Sequence, residues 1–296
     1  MSNIELLFSQ QATENVAMAT DPGEEFIVQF WGVRGLIATP SSDTSRYGGN
    51  TACVEIKVAG KRLIFDGGTG LRILGRSWLE NSPLVAHLFF TNSQSNRIQG
   101  FPFFAPAFVT ENCFHIYGMA ASNSASIKQS LCDQMLQPHF PYPLQVMQAD
   151  FQFNNLISGS KVILDDVTIE TGLISQNQRS AGYRVSWKQY SVAYVTDLCS
   201  CTDEQDQGCI KQLIQDVDLL IANATYTPPT AHNHESPDLL WKTAVNLAYQ
   251  SGVKRLVISH HHPDDHDDFL DSVQTQVKNA FSQALLAREG LILTVV

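Results

Sequence analysis

A succession of short stretches rich in Val, Ile and Phe, each closed by Gly, Asn or Asp, most constrains how this chain can fold. They fall at 26–31, 52–58, 63–65, 85–91, 113–117, 161–164, 167–173, 182–187, 192–196, 219–222, 255–259 and 291–296. Helical patterns lie among them. The clearest opens at Ser236 as N-cap, with Pro237 at the first helical position and Leu240, Ala244, Leu247 and Ala248 at helical spacing, and stops at Gly252. A second is predicted from about Asp268 to Arg288, and shorter ones at 71–79, 124–135 and 210–215. Strands early and late with helices interspersed predict an α/β or α+β domain. Residues 1–25 are polar and end in Asp21-Pro22-Gly23-Glu24-Glu25, which reads as a flexible N-terminal arm before a single domain over 26–296.

Composition narrows the function. Nineteen basic residues against 29 acidic ones give a net charge of −10. Such a field opposes non-specific contact with nucleic acid or an anionic membrane. No apolar run approaches the ~18 residues of a membrane span. The opening MSNIELLFSQQ lacks the basic start and long apolar stretch of a secretory signal. Six cysteines in 296 residues are not disulfide density, so reduced thiols in the cytoplasm are expected. Cys199, Cys201 and Cys209 match no standard zinc spacing and read as ordinary thiols.

Glycines cluster at strand ends, at Gly48-Gly49 and at Gly67-Gly68. There they serve either a tight turn or the close approach of a ligand. The segments Trp31-Gly32-Val33-Arg34-Gly35, Arg46-Tyr47-Gly48-Gly49-Asn50-Thr51-Ala52-Cys53 and Phe65-Asp66-Gly67-Gly68-Thr69-Gly70 form a specific set. With Gly182-Tyr183-Arg184, Val195-Thr196-Asp197, Ala224-Thr225-Tyr226-Thr227-Pro228 and His260-His261-His262-Pro263-Asp264, they resemble the metallo-β-lactamase-fold hydrolases. The branch is that of ribonuclease Z and the cyclic-phosphate phosphodiesterases. The resemblance implies a four-layer αββα sandwich with its site at one edge.

It also implies two divalent ions that lower the pKa of a bridging water. Their ligands come mainly from T-H-x-H-x-D-H after a strand, and here that segment reads Thr91-Asn92-Ser93-Gln94-Ser95-Asn96-Arg97. Asn92, Gln94, Asn96 and Arg97 thus replace all four expected ligands. A further histidine is replaced near Gln176, the His-Asp pair ahead of Ala-Thr-Tyr-Thr reads Ala222-Asn223, and another histidine is replaced near Asp238, with His232 and His234 just upstream. Asp197 and His260 or His261 survive, and Asp66 takes a supporting place. Arg97 is the decisive change: a guanidinium has five donors, no acceptor and a permanent charge that repels a divalent ion. It is expected to face Asp197.

The expected protein is therefore a catalytically degenerate member of that fold, without a cofactor, that binds a protein partner or a small anionic ligand. The alternative is an active phosphodiesterase-like hydrolase, with a single divalent metal at Asp197, His260 and His261. Candidate cleft residues are Arg34, Asp66, Gly67, Gly68 and Thr69, with Phe101, Phe103 and Phe104 as a floor or docking surface that could equally be core. A homo-oligomer is compatible with the composition. His87, His115 and His139 read as structural, and Asp264 to Asp268 as the acidic start of the last helix.

Overall fold

A computed structural model describes residues 24–138, 140–175, 179–198, 204–223 and 240–296. Two seven-stranded sheets lie face to face. The first contains β1 (Phe26–Gly32), β2 (Cys53–Val58), β3 (Lys61–Phe65), β4 (Val85–Phe90), β5 (Cys113–Met119), β6 (Asp150–Leu156) and β14 (Ile292–Thr294), in the order β14-β1-β2-β3-β4-β5-β6. The second contains β7 (Lys161–Leu164), β8 (Val167–Ser175), β9 (Ser180–Trp187), β10 (Tyr190–Val195), β11 (Leu219–Asn223), β12 (Leu256–Ser259) and β13 (Ala284–Leu286), in the order β13-β12-β11-β10-β9-β8-β7.

Helices cover both outer faces. Helices α1 (Gly70–Ser77), α2 (Ser95–Ile98) and α3 (Ile127–Gln134) belong to the first half, and α4 (Glu204–Ile214), α5 (Leu240–Gln250) and α6 (Asp267–Ala280) to the second. The layers are thus αββα, the sandwich that the motifs imply. Alternation within the strands sorts side chains between layers. Val28, Phe30, Phe65, Phe89, Tyr183, Tyr194 and Val257 fill the space between the sheets. Ile64, Leu88 and Ile116 face α1 and α3. Val195, Ala222 and Ile258 face α4–α6. Among the described residues no helix is long and apolar enough to cross a membrane.

Tertiary pairing corrects two of the expected elements. The last helix stops at Ala280 rather than near Arg288, because Ala284–Leu286 pair in parallel with Leu256–Ile258 and extend the sheet. Asn154 and Asn155 are poor strand formers and no strand is expected over 150–156, yet β6 pairs with β5 along its length. The proposed N-cap at Ser236, most of the N-terminal arm, His139, Cys199 and Cys201 lie outside the described residues.

The topology places the site. β3 and β4 are parallel in one sheet, and β10, β11 and β12 are parallel in the other. Their carboxyl ends bring Asp66, Thr91, Asp197 and His260 to a common edge, where α/β sheets generally present their chemistry. The segment around Arg34 joins the sheets there, bridging Thr51 on one side and His261 on the other.

Candidate functional site

Arg97 lies at the centre of this edge. It sits on the single turn of α2 and is 2% exposed. One terminal nitrogen, Nη1, donates to Asp66 Oδ2 at 2.6 Å and also contacts His260 Nε2, while Nη2 donates to Asp197 Oδ1 at 3.1 Å. The guanidinium therefore ties together residues from both sheets. Asp66, expected in a supporting place beside the site, is its shorter carboxylate contact.

Each partner is held in turn. Asp66 accepts from the Thr91 amide at 2.8 Å, the Thr91 hydroxyl at 2.8 Å and the Tyr194 hydroxyl at 2.9 Å. These donors, with Arg97, suit an ionised carboxylate. Asp197 accepts at Oδ2 from Asn92 at 3.1 Å and from Ser180 at 2.9 Å. Asn92 Oδ1 in turn accepts from the Gln94 amide at 3.0 Å. Tyr194 and Ser180 were not legible as site residues. Tyr194 is an inner-face strand position whose ring packs in the core beside Phe65 while its hydroxyl reaches the site, a common use of tyrosine.

The backbone is strained at three of these places. Asp66, Asp197 and His260 have φ of 61°, 77° and 62°, a region costly for residues with a Cβ. Each sits just past a strand end, where a sharp exit turns its side chain inward toward Arg97.

Charge follows the geometry. Burial opposes the Arg97 charge, but Asp197 and Asp66 outweigh it and hold the guanidinium above its ordinary range. Burial is the largest influence on Asp66 and pushes its carboxyl up, against the opposing pull of Arg97 and Thr91. His260 is driven well below the usual imidazole range by burial and then by Arg97. Its ring is thus neutral. With Nε2 accepting from Arg97, the network assigns the proton to Nδ1.

Several sequence expectations are corrected here. His261 does not join the cluster: its Nε2 bonds the Ala287 carbonyl at 2.7 Å and its ring packs edge-on against Tyr47. The trio Asp197, His260 and His261 therefore does not converge on a single metal. Gln94 is exposed, and Asn96 is buried beside the Gly68 backbone, with no side-chain hydrogen bond among the described residues. Arg34 does not line a cleft. It is fully buried and donates to the carbonyls of Gly48, His262 and Asp265 at 2.7, 3.1 and 2.7 Å, clamping three backbone turns.

Nor do the amides of Gly67, Gly68 and Thr69 form an anion cradle. They bond the Arg97 carbonyl, the Ala52 carbonyl and the Thr51 hydroxyl. Phe101 and Phe104 are fully buried under α1 and α3, leaving Phe103 exposed.

Gly49, Gly68 and Gly100 resolve toward close approach to backbone, whereas Gly48 has positive φ beside the Glu289 side chain and Gly67 packs on Phe90 and Leu71. A Cβ on Gly100 would lie 1.9 Å from the Gly68 carbonyl oxygen, where backbone and not a pliable side chain would have to move. Gly100→Ala is expected to destabilise the protein by roughly 2–4 kcal/mol, at the upper end of overpacking costs. Urea unfolding of the variant checks this, and an unchanged midpoint would contradict it.

Two divalent ions, which the motif resemblance implies, do not fit this donor set. The nitrogens of Arg97 lie on Asp66 Oδ2, Asp197 Oδ1 and His260 Nε2, the lone pairs an ion would need. Among the described residues no three His, Cys, Asp or Glu side chains are placed to hold a metal.

The β-lactamase superfamily domain profile matches residues 61–262. Among solved structures, the chain resembles the metallo-β-lactamase fold protein YhfI from Bacillus subtilis, with a TM-score of 0.63 and 17% identity over 92% of this chain and 99% of that one. It resembles a diphosphatase of the PhnP family to the same TM-score and identity, over 90% and 97% of the two chains. Human tRNase Z, short form, follows with a TM-score of 0.61 and 16% identity over 91% and 99%. At such identities the likeness is one of fold. No curated protein matches the sequence.

Proposed function

The chain belongs to the β-lactamase superfamily, and we propose that within it this protein is a non-hydrolytic member in which a guanidinium has taken the place of the metal centre. The observation that carries the proposal is Arg97 donating to Asp66 and Asp197 and resting on His260. A hydrolase of this fold needs a metal-bound water as nucleophile. Here the surviving carboxylates are engaged by Arg97, Asn92, Ser180, Thr91 and Tyr194, so neither stands ready as a general base. The arrangement holds the two sheets together at the edge where the carboxyl ends of β3, β4, β10 and β12 meet. It suits a protein that acts by binding, through a partner or a ligand, rather than by turnover.

The fold neighbours include a diphosphatase and a tRNase Z, so phosphate esters are the substrates to try. Bis(p-nitrophenyl) phosphate and cyclic nucleotides, with zinc or manganese added, are expected to turn over at background rate. Turnover that scales with protein, survives repurification and disappears in Asp197→Ala would contradict the proposal.

A further inference from the structure

The helical layer outside the first sheet carries an exposed surface that the site does not use. α1 buries Leu71, Leu74 and Gly75 and turns Arg72, Ile73 and Arg76 to solvent. Leu79, just past its end, is 48% exposed. Gly75 packs against Phe104 and Pro106, so Phe103 and Phe108, 55% and 40% exposed, continue the same layer. Neither Arg72 nor Arg76 has a hydrogen-bond or ion-pair partner among the described residues. Two like charges one helical turn apart are mildly unfavourable. In a chain of net charge −10, unneutralised arginines beside exposed apolar side chains suit an acidic, apolar strand of polypeptide.

The chain contains a segment of that composition. Residues 1–23 carry Glu5, Glu14 and Asp21 and no Lys, Arg or His, and Glu5 sits within Ile4-Glu5-Leu6-Leu7-Phe8. Topology brings the two within reach. Phe26 pairs with Val58, which pairs with Lys61 at the start of β3, so the chain enters β1 at the edge opposite the site. α1 leaves the site edge after β3 and leads back to β4, which runs parallel to β3, so Leu79 lies toward the edge where β1 begins. The 15 residues 9–23 span up to ~50 Å when extended, whereas an eight-residue helix is ~12 Å long.

We propose that the segment around Ile4–Phe8 docks on this surface, its apolar side chains against Ile73, Leu79, Phe103 and Phe108 and its one carboxylate, Glu5, toward Arg72 and Arg76. Contact energy of this size is modest, but tethering raises the effective concentration into the millimolar range.

The test is photo-crosslinking of the full chain with Phe8 replaced by p-benzoylphenylalanine, products being mapped by mass spectrometry. Crosslinks within one chain to residues 70–80 and 101–108 are expected. Their yield is expected to fall about fivefold in Arg72→Glu/Arg76→Glu and to decline on going to molar salt, since exposed ion pairs are screened. Crosslinks mainly between two chains would overturn the proposal in favour of a second copy. Products scattered over the surface, or a yield indifferent both to the arginine changes and to salt, would overturn it outright.

Discussion

Arg97→Ala is expected to destabilise the protein by roughly 3–5 kcal/mol, because it strands two buried or nearly buried carboxylates at once. Asp66 is fully buried and the Asp197 side chain only 14% exposed, so water cannot easily take over from the guanidinium. The intact cluster need not be a large net stabiliser, since burying three charges is itself costly. Removing one member differs in kind, because the desolvation cost stays while the attraction goes. Two signatures separate this from a simple packing defect. Arg97→Ala/Asp66→Ala is expected to lose less than the sum of the single variants. The loss in Arg97→Ala is also expected to shrink at acid pH, where the stranded Asp66, already pushed up by burial, takes up a proton. Urea midpoints at two pH values decide it, and a loss below about 1 kcal/mol would place Arg97 among weakly coupled surface charges.

Acid is the second large effect. His261 is pushed down to about 4 by burial, against the partial support of the Ala287 carbonyl. His87 is also pushed down to about 4, by burial and then by His115 stacked 4.6 Å away and by Lys61. A histidine depressed in the folded state binds its proton more tightly when unfolded. Its contribution is fully present above the unfolded value of about 6.5 and is lost as pH falls toward 4. Each such group gives a slope of about 1.4 kcal/mol per pH unit in that window, so His261 alone accounts for roughly 3 kcal/mol between pH 6.5 and 4. His87 adds to it, and His260 shifts in the same direction. Guanidinium midpoints between pH 7 and 4.5 are expected to fall steeply, and His87→Phe to flatten the slope. A flat profile over that range would mean that these imidazoles do not stay neutral and buried.

The fold was legible because its motifs mark strand ends. Asp66, Asp197 and His260 each follow a strand and each has left-handed backbone, so a short sequence pattern captured both a turn and an inward-facing side chain. Arg97 was legible as a misfit: a permanent cation at a position meant for a neutral ligand. What could not be read was the choice among neighbours. His260 and His261 are adjacent, and only the local backbone decides which faces Arg97 and which turns to Ala287. Tyr194 is an inward position near the end of β10 and Ser180 opens β9, and neither looks different from an ordinary strand residue until the opposite sheet is in place. The places of Arg34, Gly67, Gly68 and Thr69 were not legible for a related reason. Spacing revealed glycines and arginines but not that the amides were spent on the Arg97 and Ala52 carbonyls, nor that Arg34 Nε and Nη1 were spent on the Gly48, His262 and Asp265 carbonyls.

Metal content measures the central claim most directly. Untagged protein, purified after growth with added zinc, iron and manganese, should contain well under half an equivalent of any of them per chain by elemental analysis, because Arg97 holds the lone pairs that ligation requires. About two equivalents of one metal per chain, retained through gel filtration, would contradict the account.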